Sequence, residues 1–334
     1  MRLLDTKKLR VVEFADNAIP SYSILSHTWG DQEITYQDIV SLSSGSRNLS
    51  AVFNLDSEVK SKKGFAKVKN AAALAAEDGF AYLWIDTCCI DKASSAELSE
   101  AINSMYRWYE ESDLCYAYLS DVVPAREELP SAANSTFRRS RWFTRGWTLQ
   151  ELLAPKEVRF FASDWSYLGS HIPPSPNIIG KNLLTEITSI DQRVLQGTLE
   201  PRQVSVATRM SWAASRETTR LEDIAYCLLG VFSVNMPLLY GEGRRAFVRL
   251  QEAILRETDD QSIFAWKSLS RDAPNHLSGL LADSPKLFQT ARNIRALPPL
   301  LTGDKVPTVM SSQGLQVQLF LKPTSITSTI EQEE

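Results

Sequence analysis

Histidine is scarce in this chain, with three residues in 334 (His27, His171 and His276), and the four cysteines include the adjacent pair Cys88 and Cys89 but no CxxC spacing. A zinc cluster needs closely spaced thiolates and imidazoles, so no metal site is expected, and four cysteines in a chain of this length make no disulfide framework. Glycine-rich phosphate signatures are missing as well. There is no GxGxxG after the first strand-like run and no GxxxxGK[ST] anywhere, which removes a Rossmann dehydrogenase and a P-loop NTPase from consideration. No run approaches the ~18 apolar residues of a membrane span, and MRLLDTKKLR carries charges where a secretory leader needs its apolar core, so a cytoplasmic protein with no membrane span is expected. Neither sign of charge dominates: 36 basic against 40 acidic side chains leave a formal net charge of -4, so no nucleic-acid binding is expected.

What the chain does contain is 43% hydrophobic residues, enough for a sizeable core, in an alternation of strand-like and helix-like pieces. Tyr22 to Ser26 reads as a strand ending at the turn Thr28 to Asp31. Ala66 to Asp78 has helical apolar spacing and stops at Gly79. Tyr82 to Ile85 is a second strand. Ser94 and Glu97 have the spacing of a capping box, followed by Leu98, Ile102, Met105 and Tyr109 along one helical face. Cys115 to Leu119 and Val158 to Ala162 are the third and fourth strands. Between them a loop with Pro124 and Pro130 leads into a helix that Pro155 terminates. The expected fold is α/β, a mainly parallel sheet flanked by helices over about residues 20–165. It is followed by a mainly helical segment (Arg202 to Val231, then Gly243 to Glu257) and a strand-rich extension from Gly279 onward. His171 to Pro176 is a breaker cluster read as a linker or surface loop. The polar ending Ile330 to Glu334 reads as a boundary within a longer protein.

In a parallel α/β sheet, ligands bind outside the carboxyl ends of the strands, so the residues just after each strand are the candidates. After the first strand these are Ser26, His27, Thr28, Trp29, Gly30 and Asp31, and after the second Asp86, Thr87, Cys88, Cys89 and Asp91. Asp121 follows the third. Two readings stand for several of them. Asp86 and Asp91 either hold a tight turn or touch a ligand. Cys88 and Cys89 are small buried hydrophobes or nucleophiles. His27 is a base or a residue of the core. Gly241-Glu242-Gly243-Arg244-Arg245 is a phosphate site at a helix N-terminus or a helix start with a solvated basic face.

The run Arg139 to Leu153, RSRWFTRGWTLQELL, sets one carboxylate, Glu151, among rings and arginines. As a helix it would align Phe143, Trp147 and Glu151 at i, i+4 spacing, and a carboxylate buried beside rings must find a partner or shift its pKa.

Four blocks in order, YSILSHTWGD, FAYLWIDTCCIDK, AINSMYRWYEESDLCYAYLSDV and WFTRGWTLQELLAP, resemble the fungal heterokaryon-incompatibility (HET) domain, and the later LEDIAYCLLGVFSVNMPLLYGEGRRAFVRLQEAI resembles the segment that follows such domains. The resemblance implies a HET domain over 1–168 and a C-terminal helical plus β extension over 169–334, packed on it or linked to it. It also implies a cytoplasmic trigger of programmed cell death when unlike hyphae fuse. The HET domain is distantly similar to TIR domains of flavodoxin-like fold. Arg145 to Leu152 resembles the TIR block whose glutamate carries NAD-cleaving activity in enzymatic members, and Glu151 falls on that glutamate. The implied activity is NAD hydrolysis at the nicotinamide–ribose bond, with NAD as substrate and no permanently bound cofactor. Glu151 would hold the ribose, Trp29 or Trp147 would stack on a ring, and Arg145 with Arg141 would meet the pyrophosphate. Self-association and an upstream sensor protein are the implied partners. The alternative is a non-enzymatic death or adaptor module that signals by oligomerising.

Overall fold

In a computed structural model, residues 1–43, 57–172, 179, 182–268, 279–295, 309–311 and 314–317 are described. The chain begins with a hairpin of β1 (Arg2–Asp5) and β2 (Val11–Glu13), then β3 (Ser23–His27), α1 (Tyr36–Ser43) and α2 (Lys63–Glu77). β4 (Tyr82–Trp84), the single turn α3 (Asp86–Cys89), α4 (Ser95–Glu111) and β5 (Leu114–Tyr118) follow. After a long connection come α5 (Thr148–Leu153), β6 (Val158–Phe161) and β7 (Tyr167–Ser170).

The seven strands form one sheet in the order β2-β1-β4-β3-β5-β6-β7. Its centre is the four expected strands, all parallel, with Ser26 opposite Ala117 and Ala117 opposite Phe160. β3 is buried at every position, as a strand covered on both faces must be. Its side chains alternate: His27 meets Lys67 of α2 on one face, and Ser26 meets Glu151 of α5 on the other. The sheet is mixed, however, and not mainly parallel, because three of its six pairings are antiparallel. Leu3 and Leu4 of the unforeseen hairpin are fully buried beside β4. β7 returns from β6 through a turn at 162–166, too short for the crossover that a parallel neighbour needs.

Local signals behave as their chemistry requires. Gly79, at φ +90°, follows the end of α2, where Phe80 N–H donates to the Ala75 carbonyl. Ser94 accepts from Glu97 N–H at the start of α4, but the Glu97 carboxylate goes to Asp91 N–H and Arg2, so the capping box is only half formed.

Beyond the sheet lie α6 (Leu183–Thr188), α7 (Gln192–Leu195), α8 (Val206–Trp212), α9 (Asp223–Tyr226), α10 (Leu229–Phe232) and α11 (Arg245–Glu257). Phe247, Leu250 and Ile254 of α11 are buried as the pattern predicts. The helix expected over Arg202 to Val231 is instead three short helices. The chain leaves α8 so that Arg216 and Glu217 can meet the Arg145–Gly146 backbone. The expected division at 168/169 falls inside β7, and His171 accepts the Val158 N–H at 2.9 Å, so it belongs to the sheet edge and not to a linker. Residues 173–176 of the breaker cluster and most of the tail lie outside the described residues, apart from a hairpin of β8 (Val309–Ser311) and β9 (Gly314–Gln316). A single hydrophobic core includes Leu25, Trp142, Met210, Phe247 and Phe288.

α10 reaches α4 closely enough that a Cβ at Gly230 would lie 2.0 Å from the Tyr106 Cβ. Gly230→Ala should therefore cost about 1–3 kcal/mol, the usual cost of overpacking, read as a lowered urea midpoint. An unchanged midpoint would mean that the two helices do not bear on each other there.

Candidate functional site

In chain order the four parallel strands lie as second, first, third, fourth. β3 connects to β4 on one side, and the next connection crosses to β5 on the other. The crevice of a doubly wound sheet opens where this reversal occurs, at the carboxyl ends of β3 and β5. Ser26 and His27 end β3, and α3, which begins at Asp86, follows β4 directly.

On one face Glu151 projects from α5 beneath the end of β3. It is 7% exposed. The Ser26 hydroxyl donates to its Oε2, while Ser26 Oγ accepts the Trp142 indole N–H at 2.7 Å. The Tyr109 hydroxyl reaches the Leu25 carbonyl at 3.3 Å and lies beside the same carboxyl. Burial pushes the Glu151 carboxyl up to about 8. The Ser26 hydrogen bond pulls it down and the charge on Asp86 pushes it further up.

On the other face a chain of polar groups fixes Asp86. Glu33 Oε1 accepts from Lys67 Nζ at 2.6 Å, and Lys67 Nζ lies 2.7 Å from His27 Nδ1. An ammonium can only donate, so Nδ1 is the acceptor in this contact and the ring proton sits on Nε2, aimed at Asp86 Oδ1 3.0 Å away. Asp86 Oδ2 accepts the Trp29 indole N–H at 2.8 Å. Burial alone would raise the Asp86 carboxyl, but the bond from His27, the charge of that ring when protonated, the charge of Lys92 and the bond from Trp29 hold it below the ordinary carboxylate range. Two neighbouring carboxyls are thus driven apart, one ionised and one protonated. On the Asp86 side, beyond the ends of β3 and β4, lies a crevice of about 530 Å³, lined in part by Trp29, Gly30, Asp31, Glu33, Thr87 and Lys92 but by neither carboxyl.

The candidates therefore divide. Ser26 joins Glu151, and His27 and Trp29 join Asp86. Trp29, Gly30, Asp31 and Thr87 line the crevice, whereas Glu151 does not. Thr28 is buried without lining it. Asp91 holds the turn after α3 through Ala93 N–H and accepts Gln37 Nε2. Cys88 has no exposed surface, its thiol donates to the Ile34 carbonyl, and burial pushes its pKa well up. Arg145 and Trp147 turn away from the crevice, Arg145 to Thr219 and Trp147 to Asp223. Arg141 is exposed and pairs with Asp121.

The single helix expected over Arg139 to Leu153 is broken, so Phe143, Trp147 and Glu151 do not share a stripe. Arg141–Thr144 is a 3-10 turn capped by Ser140, and α5 begins only at Thr148. Between them Gly146 N–H donates to the Glu217 carbonyl and Glu217 N–H to the Thr144 carbonyl, which consumes the groups a continuous helix would use. A Cβ at Gly146 would lie 2.5 Å from Thr218 Cγ2 and 3.0 Å from Cys227 Sγ, so any larger residue would have to displace those side chains.

Sequence reasoning did not single out Lys67, Lys92, Trp142 or Arg216 as members of the site. Tyr109 was marked only as a core position, although a buried phenol needs a partner. Arg216 is 2% exposed and has no carboxylate partner among the described residues. Nη1 donates to the Arg145 carbonyl at 2.8 Å and to Thr148 Oγ1 at 2.9 Å, and Nη2 is unpartnered. Burial draws its pKa down to about 10. Arg216 clamps the first turn of the glutamate helix from sequence some seventy residues away.

Residues 22–136 match the family described as heterokaryon incompatibility protein (HET), and residues 245–321 match a domain of unknown function, DUF8212. The chain is 40% identical over 263 residues, 76% of its length, to vegetative incompatibility protein HET-E-1 of Podospora anserina, and it spans 18% of that relative. No solved structure matches the chain significantly. No helix among the described residues is long and apolar enough to cross a membrane.

Two measurements test the buried carboxyl. Its folded pKa lies above the ordinary glutamate value of 4.5, so between 4.5 and about 8 the folded chain keeps a proton that the unfolded chain has lost. This contribution is full below 4.5 and disappears as pH rises through about 8. Wild type should lose a few kcal/mol of unfolding free energy between about pH 5 and about pH 8.5, and Glu151→Gln clearly less. Parallel losses would assign the proton elsewhere. Ser26→Ala leaves the Trp142 N–H and Glu151 without their shared hydroxyl and should cost about 1–3 kcal/mol in the same urea titration.

Proposed function

Since the chain carries a heterokaryon incompatibility domain, we propose that it is a cell-death effector of fungal heterokaryon incompatibility that hydrolyses NAD at the nicotinamide–ribose bond. Glu151 is the catalytic carboxyl. The reading takes the domain as TIR-like, in keeping with its doubly wound strand order, and it is carried by one observation above all: a buried, proton-holding glutamate at the strand-order reversal.

The chemistry suits that residue. The bond from ribose C1′ to the pyridinium nitrogen breaks, its electron pair neutralises the ring, and nicotinamide leaves as a neutral molecule. The ribose becomes oxocarbenium-like, and water adds its oxygen to C1′ and releases a proton, giving ADP-ribose. A carboxylate beside C1′ stabilises the cationic centre as in glycoside hydrolysis. Glu151 is protonated at rest, and the positive charge of the bound nicotinamide ring favours its ionisation, so the anion is generated where it is needed. Self-association, or release by an upstream sensor, is the activating step in this reading, because Glu151 is enclosed and meets a ligand only when the side chains around it rearrange.

A second reading has its own support. Glu151 is enclosed by Ser26, Trp142 and Tyr109 and does not line the crevice, which is how a purely structural carboxyl in an adaptor module would be held.

Chromatographic assay of NAD with purified protein, forced to oligomerise, separates the two. The hydrolase reading expects NAD loss that rises with pH toward about 8 and falls by about 100-fold or more in Glu151→Gln. NAD left intact by wild type, with cell killing retained in Glu151→Gln, would favour the adaptor.

A further inference from the structure

Trp29 leaves 49% of its surface exposed at the rim of the crevice, an unusual position for an indole whose orientation is nonetheless fixed. Its N–H is held on Asp86 Oδ2 at 2.8 Å, so the plane of the ring is set by a carboxylate that His27 holds from the other side. Over the face of that ring sits the Lys92 ammonium, 3.4 Å from the centroid, and Lys92 also lines the crevice. An aromatic face with a carboxylate on its edge is the arrangement that recognises weakly hydrated cations. Here the protein's own side chain occupies it.

Lys92 lies on the turn between α3 and α4, and its flexible stem lets the ammonium swing out to water, giving up its contact with Trp29 and its attraction to Asp86, which an incoming cation replaces. A planar cation would gain more on the same face, because it stacks over the whole indole while an ammonium touches it at a point. We infer that the Trp29 face and Asp86 form a binding site for a planar organic cation of pyridinium type, with Lys92 as the internal occupant that the ligand displaces. The choice of pyridinium among such cations rests on the reading of NAD as substrate; the cradle and its preference for charge do not. Lys92 is then a specificity residue. While its charge sits over the ring, weaker cations are kept off, and only a cation that repays its displacement enters.

The probes are 1-methylnicotinamide, a pyridinium cation, and nicotinamide, its neutral counterpart, titrated calorimetrically into the full chain. Lys92→Met keeps the stem and removes the competing charge, and it should bind the cation about three- to tenfold tighter while nicotinamide gains nothing. Trp29→Leu should abolish binding of the cation, and Trp29→Phe, which keeps a ring in place, should retain the preference for charge with weaker affinity. Melting curves establish that each variant folds. Equal responses of the two probes to Lys92→Met, or wild-type affinity in both Trp29 variants, would overturn the inference. NAD turnover on the same samples distinguishes the two claims. Charge-selective binding without turnover counts against hydrolysis alone, and turnover without charge selectivity counts against the cradle alone.

Discussion

The hydroxyl of Ser26 is where the architecture converges. It ends a strand buried along its whole length, donates to the carboxyl of α5 and accepts the indole N–H of the preceding 3-10 turn. Its size is as important as its polarity. A larger side chain would push Trp142 and Glu151 apart, and an apolar one of the same size would strand both. Because Trp142 packs edge-on to Phe143 and Phe160, the polar contact is sealed by an aromatic cluster that also holds β6. The central sheet, the connection after β5 and the glutamate are therefore positioned by the same few atoms.

Charge is organised around this point by exclusion more than by pairing. Asp86 has two donors and a nearby ammonium and stays ionised, while Glu151, a short way across the end of β3, has hydroxyls for company and stays protonated. Arg216 could have neutralised a buried anion but donates instead to the Arg145 carbonyl and Thr148 hydroxyl at the helix start and to the Trp212 carbonyl of α8. The two faces of one strand thus hold opposite electrostatic states, separated by the alternation of Ser26 and His27.

The four central strands, α2 and α11 were legible because each is a run of apolar residues with a single period, and Gly79 after α2 is the plainest stop. The β1–β2 hairpin was not, since RLLD and VVE are too short to show alternation and sit among charges. The crevice residues Trp29, Gly30, Asp31 and Thr87 followed from strand ends alone. Arg145 and Trp147 were misplaced because the helical period of 139–153 gives no sign that residue 217 will claim the backbone at 144–146. Cys88 looked like a crevice residue by position, and the side of α3 on which it lies could not be read from a four-residue helix.

That bridge between 144–146 and 217 also has a bearing on how the chain is made. The groups that start α5 are supplied by Arg216 and Glu217, and Gly146 is shaped for a segment synthesised some seventy residues later. A closure of this length is slow and cannot begin until the later segment has left the ribosome. The parallel centre through β5 can assemble on the nascent chain, whereas the turn that orients Glu151 must wait. While the chain is being synthesised, the β3, β4 and β5 strands are therefore complete before the residues that fix the turn at Glu151 have been made.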